Sequence, residues 1–258
     1  MICRTDHDLN GMRKAGEVAA KALQALGQCV RAGVSTSDLN EWTHELMAKA
    51  GAVSATYGYK SSRGSKNSYP GYACFSVNDV IVHGIPSKEV ILKEGDIISI
   101  DLALFYEGFC GDNTVTLRVG QVTPSADRLI DAAEEALRSG IQQAISGNYV
   151  EDISRAIETV AHKAGYGVVR EFVGHGVGRK MHEYPQIPNY VIPCLTDEKV
   201  KLCSGMTLAI EPMLTAGNAA IQQDSDGWTV RTKDGSLAAH VEHTILVTKN
   251  LPEILTLR

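Results

Sequence analysis

The sequence predicts an α+β fold, a pseudo-two-fold antiparallel sheet flanked by two helix pairs, and two internal repeats carry that prediction. In the first, the segment beginning at Gly33 recurs at a constant offset of 114: Gly33 matches Gly147, Asp38 matches Asp152, Leu39 matches Ile153, and Lys49-Ala50-Gly51 matches Lys163-Ala164-Gly165. In the second, GDIISID from Gly95 to Asp101 recurs at an offset of 110 as GMTLAIE from Gly205 to Glu211. Two amphipathic helix pairs can resemble each other through composition alone. An acid at the same step after the same glycine is harder to reach that way. The halves are therefore expected to be copies of one αα-then-β unit, with acids from both meeting at a central site.

The elements follow in chain order. From Leu9, apolar or small residues recur at Met12, Ala15, Ala19, Leu23 and Leu26, the spacing of one helix face, to about residue 30. Ser35 or Ser37 caps a second helix with the face Leu39, Trp42, Leu46 and Met47, which stops at Gly51. Residues 60–71 read as a polar loop, and CFSVNDVIVHG after them as a strand-like run ending at His83-Gly84. Residues 96–104 alternate and are rich in Ile; the turn signal at Glu107-Gly108 then predicts a tight connection and a returning strand. Residues 126–144 and 150–164 repeat the two-helix pattern, and the remainder is strand-like segments broken by Gly and Pro.

With 258 residues, 44% hydrophobic and 21% charged, the chain suits one large domain over residues 1–258, with a short extension of about residues 1–8 ahead of the first helix. A net charge of -5 argues against a general nucleic-acid or membrane-surface binder. No apolar run is long enough to span a bilayer, and the start, MICRTDHDLN, has no signal-peptide core. Cys3, Cys29, Cys74, Cys110, Cys194 and Cys203 show no CxxC spacing and read as reduced, cytoplasmic thiols.

If the segments on either side of Glu107-Gly108 pair, Asp101 and Asp112 lie opposite each other, or nearly so, on one face of the sheet. Like charges side by side on half-buried strands are destabilising. At ~4 Å and an effective dielectric near 20 the repulsion is roughly 4 kcal/mol, so the pair needs a shared proton, a basic neighbour or a cation. His175 (VGHGVG), Glu211 (LAIEPML) and Glu242 (HVEHTILV) also stand in apolar or Gly-flanked contexts. Each alone has an ordinary explanation, a loop histidine or a solvent-facing strand glutamate. Converging, the four carboxylates would carry a charge that two divalent cations neutralise. Oxygen donors with one imidazole and no thiolate point to Mn²⁺, Fe²⁺, Co²⁺ or Zn²⁺ in an open catalytic site. Two such cations share a water, lower its pKa towards about 7 and polarise a carbonyl, which makes hydrolysis the natural chemistry. His83 (VHGIP) and His182 (MHEYP) lie where a neutral imidazole can donate to a carbonyl or a developing oxyanion. Gln186 stands where an HExxH helix would need its second His, Gly174-x-Gly176-x-Gly178 leads into Arg179-Lys180 rather than a helix, and no Ser nucleophile elbow is present.

These residues stand within longer pieces: NDVIVHGIP, GDIISIDLAL, GFCGD, GHGVGRKMHEYP, GMTLAIEPM and DGWTVRTKDGSLAAHVEHTILVT, running from Met12-Arg13 to the closing EILTLR. In that order they resemble the type I methionine aminopeptidases of peptidase family M24, in their short bacterial form. The resemblance implies the pita-bread fold, in agreement with the internal repeat. It implies that Asp101 chelates one metal, that Asp112 and Glu242 bridge two, and that His175 and Glu211 complete the other. It further implies a metal-bridging hydroxide that attacks the first peptide carbonyl with Glu211 as proton shuttle, His83 near the scissile nitrogen and His182 at the substrate carbonyl. A weaker monovalent-cation site maps to the backbone at Asn78, Val80 and Ala238.

The methionine pocket of the family maps to Tyr59, Tyr69, Cys74 and Trp228, with Met181 where an aromatic is usual and Thr56 where some members carry Cys. The loop over 60–71 reads as several residues longer than usual, and Cys110 replaces a common His, placing a thiol near the metals that would be oxidation-sensitive. The implied role is cytoplasmic removal of N-terminal Met from nascent chains with a small second residue, near the ribosome and as a monomer. Xaa-Pro aminopeptidases and prolidases share the fold and ligands but add a large N-terminal domain. Type II enzymes carry a helical insertion that this chain lacks. Non-catalytic pita-bread binding proteins lose ligands, whereas all five positions are filled here.

Overall fold

The computed structural model describes residues 1–60, 67–192 and 199–257. The first helix, α1 (Asp6–Gly27), starts ahead of its apolar spacing because Thr5 accepts from the Asp8 backbone and caps it. In α2 (Thr36–Ala50) the cap is Ser35, with Asp38 completing a capping box by accepting from the Ser35 N–H at 2.9 Å. Then come β1 (Val53–Ser54), β2 (Cys74–Val77), β3 (Val80–Val82), β4 (Ile97–Tyr106), β5 (Phe109–Arg118), α3 (Pro124–Gln143) and α4 (Val150–Ala164). The rest is strand: β6 (Gly167–Val168), β7 (Gly174–Gly176), β8 (Glu183–Ile187), β9 (Thr207–Ile210), β10 (Met213–Thr215), β11 (Ile221–Gln223), β12 (Val230–Thr232), β13 (Ala238–His240), β14 (Glu242–Leu246) and β15 (Glu253–Ile254).

The main sheet runs β1-β4-β5-β14-β9-β7-β8, with β2 on β4 and β15 on β14; smaller sheets are β13-β10-β6 and β11-β12-β3. The run CFSVNDVIVHG is two strands rather than one. The chain turns at Asn78, in the left-handed region at φ 55°, and sends β2 and β3 into different sheets. Glu107 (φ 48°) and Gly108 (φ 81°) both take left-handed backbone, the two-residue turn that suits the twist of a hairpin. Its register pairs Asp101 with Thr114 and Ala103 with Asp112. Asp101 and Asp112 are therefore diagonal neighbours on one face, two residues out of direct opposition.

The repeat is realised in space. Helices α2 and α4, and strands β1 and β6, begin and end 114 residues apart; β4 and β9 begin 110 apart, after Gly95 (φ 91°) and Gly205 (φ 92°). The pseudo-two-fold passes between β5 and β14, at the middle of the sheet, with β4 and β9 outside them. Each helix pair buries its apolar face on its own half: Leu23, Leu39 and Met47 with Ile98 and Ile100, and Leu129, Ile153 and Ile157 with Leu208 and Ile210. Because strand residues alternate, Ile98, Ile100 and Leu102 in that core leave Ser99, Asp101 and Ala103 on the opposite face. Among the described residues no helix is long and apolar enough to cross a membrane.

Candidate active site

That opposite face walls a cleft of about 530 Å³, and Asp101, Asp112, His175, Glu211 and Glu242 all line it, together with His83, His182, Tyr59, Tyr69, Cys74, Met181 and Trp228. One ladder row crosses four strands through Cys74, Asp101, Thr114 and Glu242. Asn78, Val80 and Ala238 lie outside the lining, where the Ala238 N–H donates to the Asn78 carbonyl at 2.8 Å.

His175 owes its position to the glycines beside it. A Cβ on Gly174 would stand 2.5 Å from the Ala209 carbonyl oxygen, and one on Gly176 would stand 2.3 Å from that of Tyr184. Both neighbouring strands press on the backbone there, so only residue 175 can carry a side chain. A carbonyl can only accept, so the 2.9 Å contact from His175 Nδ1 to the Gly176 oxygen places the ring proton on Nδ1. Burial, reinforced by His182, keeps the imidazole neutral by lowering its pKa to about 3. Its Nε2 thus carries a bare lone pair towards Glu211 Oε1 at 3.4 Å and Asp112 Oδ2 at 3.8 Å, both acceptors.

The carboxylates face the same shortage of donors. Asp112, His175 and Glu242 bring ligand atoms within 4.8 Å of one another, all three residues being buried. Glu242 Oε2 accepts from the Thr114 hydroxyl at 2.8 Å, but its Oε1 is buried without a hydrogen-bond partner. Burial first, then the neighbouring acids, pushes the pKa of Asp112, Glu211 and Glu242 well above the carboxylate range. Burial also raises Asp101, against contacts from His240, Cys74 and Thr114 that hold it down. A nest of carboxylate oxygens beside one imidazole nitrogen with a free lone pair fits divalent cations of the Mn²⁺-to-Zn²⁺ type.

Aromatic rings form the rest of the wall. The Tyr69 hydroxyl donates to the Gly84 carbonyl at 2.7 Å, and its ring meets Trp228 edge-on at 5.3 Å. Trp228 is pinned by its indole N–H on the Asn67 carbonyl at 3.1 Å. Tyr59 Oη lies 3.0 Å from His182 Nδ1 at the cleft rim. Buried Thr56 donates to the Gly71 carbonyl, also on the lining. His83 takes left-handed backbone at φ 58° and stands edge-on to Phe172 at 5.2 Å and Trp228 at 6.3 Å. Such backbone in a residue other than glycine persists only where its surroundings hold it.

Cys110 does not reach the cleft. Its side chain is fully buried in a cluster with Met12 and Phe109, and burial, with Asp112 and Glu242 nearby, pushes its thiol pKa well up, which disfavours the thiolate that oxidation needs. Positions 61–66, where the longer loop is expected, lie outside the described residues, as does Cys194.

Phe172 and His240 are among the cleft residues that sequence reasoning missed. Phe172 follows Arg170-Glu171, and its only signal is an aromatic three residues before His175. His240 was passed over for Glu242 two residues on, from which it is separated by the break between β13 and β14. It is buried, its Nε2 lacks a hydrogen-bond partner, and that atom stands 3.5 Å from Glu211 Oε2.

Comparison with known proteins agrees with the geometry. The chain is 43% identical over 252 residues to the methionine aminopeptidase of Aquifex aeolicus, covering 98% of this chain and 97% of that one. The crystal structure of methionine aminopeptidase from Thermotoga maritima superposes with a TM-score of 0.92 at 40% identity, each chain covered in full, and shares the pita-bread fold. The prolidase from Pyrococcus furiosus superposes at 0.78 with 22% identity, this chain covering 66% of it, a likeness of fold alone. The match to metallopeptidase family M24 runs over residues 10–249, so the chain belongs to that family.

Proposed function

We infer that this chain is a methionine aminopeptidase, a metal-dependent hydrolase that removes an N-terminal methionine followed by a small residue. The observation that carries the reading is the buried cluster of carboxylates around His175 Nε2, with no cationic side chain among its lining residues, which opens on an aromatic pocket. Asp112 and Glu242 are assigned to two ions, Asp101 to one of them, and His175 and Glu211 to the other. Bound there, Fe²⁺, Mn²⁺, Co²⁺ or Zn²⁺ would lower the pKa of a water and polarise the substrate carbonyl.

The protein's own groups handle the protons and the fit. Glu211, whose pKa burial lifts, takes a proton from the attacking water and passes it to the departing amide nitrogen. His182 is desolvated enough to favour its neutral form. If the Tyr59 hydroxyl donates to Nδ1, the ring proton sits on Nε2 and is free to donate to the substrate carbonyl oxygen. His83, backed by Phe172 and Trp228, lies beside the scissile nitrogen and closes the space for the second side chain. Tyr59, Tyr69, Cys74, Met181 and Trp228 receive the methionine, whose sulfur gains roughly 0.3–1.5 kcal/mol from an aromatic edge.

The whole span 1–258 is read as one catalytic unit, with a monovalent cation on the backbone at Asn78, Val80 and Ala238. Because nascent chains are the substrate, the enzyme is placed in the cytoplasm near ribosomes, acting as a monomer. The test is hydrolysis of Met-Ala-Ser beside Ala-Pro-Ala by protein stripped with chelator and reloaded with Mn²⁺ or Co²⁺. Metal-dependent cleavage of the Met peptide alone is expected. Cleavage of the Pro peptide, or of neither with any metal, overturns the assignment.

A further inference from the structure

We propose that His240 is a positioning residue that fixes Glu211 by donating its Nε2 proton to Oε2, a proposal that rests on the metal and proton roles given to Glu211 above. Two imidazoles flank this one carboxylate, His175 Nε2 at 3.4 Å from Oε1 and His240 Nε2 at 3.5 Å from Oε2. They are not equivalent. The Gly176 carbonyl holds the His175 proton on Nδ1, so that ring faces Glu211 with a lone pair. No such carbonyl engages His240 Nδ1 among the described residues, and its buried Nε2 is turned towards carboxylates, Glu211 first and Asp101 behind it. A nitrogen facing only acceptors is satisfied by carrying the proton itself.

The ring is also held where a donor is useful. The main chain that carries it is anchored: the His240 backbone N–H donates to Thr116 Oγ1 at 3.0 Å and Ser99 Oγ at 3.3 Å, and its backbone carbonyl accepts from the Thr116 hydroxyl at 2.7 Å. Glu211, by contrast, follows the end of β9, and its backbone carbonyl accepts from Asn189 Nδ2 at 3.0 Å. Among the described residues no other side-chain donor reaches its carboxylate. With Oε2 held by His240, Oε1 is turned to His175 and Asp112, the side where a cation would sit. Without that donor the carboxylate can rotate about its last bond, and both ion binding and proton delivery suffer.

The comparison is His240→Leu, which removes the donor, against His240→Gln, which keeps an N–H there; His240→Met repeats the donor-free test if the leucine variant does not fold. Titration calorimetry with Mn²⁺ on chelator-stripped protein is read beside kcat and KM on Met-Ala-Ser. His240→Leu is expected to weaken one Mn²⁺ binding step, and to lower kcat, by roughly ten- to a hundredfold, with KM within about twofold. His240→Gln is expected to restore both. Unchanged Mn²⁺ binding in the leucine variant overturns the proposal, and so does a glutamine variant as impaired as leucine, which would reduce His240 to packing. A parent protein that binds no Mn²⁺ removes the metal reading and this proposal together.

Discussion

In the proposed function, Glu211 is the side chain on which most of the chemistry converges. Replacing it with Gln keeps its volume and removes its ability to move a proton, so kcat on Met-Ala-Ser is expected to fall by roughly 10²–10⁴. Activity within tenfold of the parent, in a variant of unchanged thermal midpoint, would remove Glu211 from the proton path. The candidate site residues were legible through their combination: an acid inside an Ile-rich strand or a His between glycines is ordinary alone, and several together in one chain are not. What the sequence could not convey is offset and company. The pairing of Asp101 with Thr114, not Asp112, depends on where the turn closes, and one residue of slip changes it. His240 stayed hidden for a related reason: β13 ends on it and β14 begins at Glu242, in different sheets, so no single strand pattern spans the two.

At the scale of elements the two halves offer a matched experiment. Ser35 caps α2 with its side chain, while Tyr149 at the equivalent position of α4 makes no side-chain cap; both backbones donate to the aspartate three residues on, Asp38 and Asp152. Ser35→Ala is therefore expected to cost about 0.5–2 kcal/mol, and Tyr149→Ala clearly less, read from urea midpoints. Equal losses would mean that the cap hydroxyl contributes nothing. Gly176→Ala tests the packing around His175: with Tyr184 backbone in the way, a loss of roughly 1–3 kcal/mol is expected, and a neutral outcome would contradict the close approach. Helices were the most legible elements, since α4 has the boundaries that the repeated two-helix pattern predicts. Short strands were the least. Two or three residues, as in β6 or β13, hold too little alternation to be read, and long-range pairing alone makes them strands.

For the whole molecule, the cleft makes stability and metal content one question. The raised pKa values of Asp112, Glu211 and Glu242 mean that the metal-free native state holds protons which the unfolded chain has released. Their contribution is present below the ordinary carboxylate range and is lost as pH rises through the raised folded values. Cations bind the ionised form, so the gain in thermal midpoint from Mn²⁺ over chelator is expected to grow from about pH 5.5 to about pH 7.5. A gain that is constant or shrinks with pH would separate these acids from the metal.

The two copies of the duplicated frame also differ where their matching acids stand, which bears on how the frame acts on a chain that has a beginning and an end. Asp101 lies mid-strand in β4, which runs on to Tyr106, while its counterpart Glu211 meets Pro212 just as β9 stops. One copy thus offers a short acid on a rigid rail, the other a longer acid on a broken one. A cavity with two identical flanks would accept a peptide in either orientation. Unequal flanks give it a reading direction, and an enzyme that trims only from the amino terminus needs one.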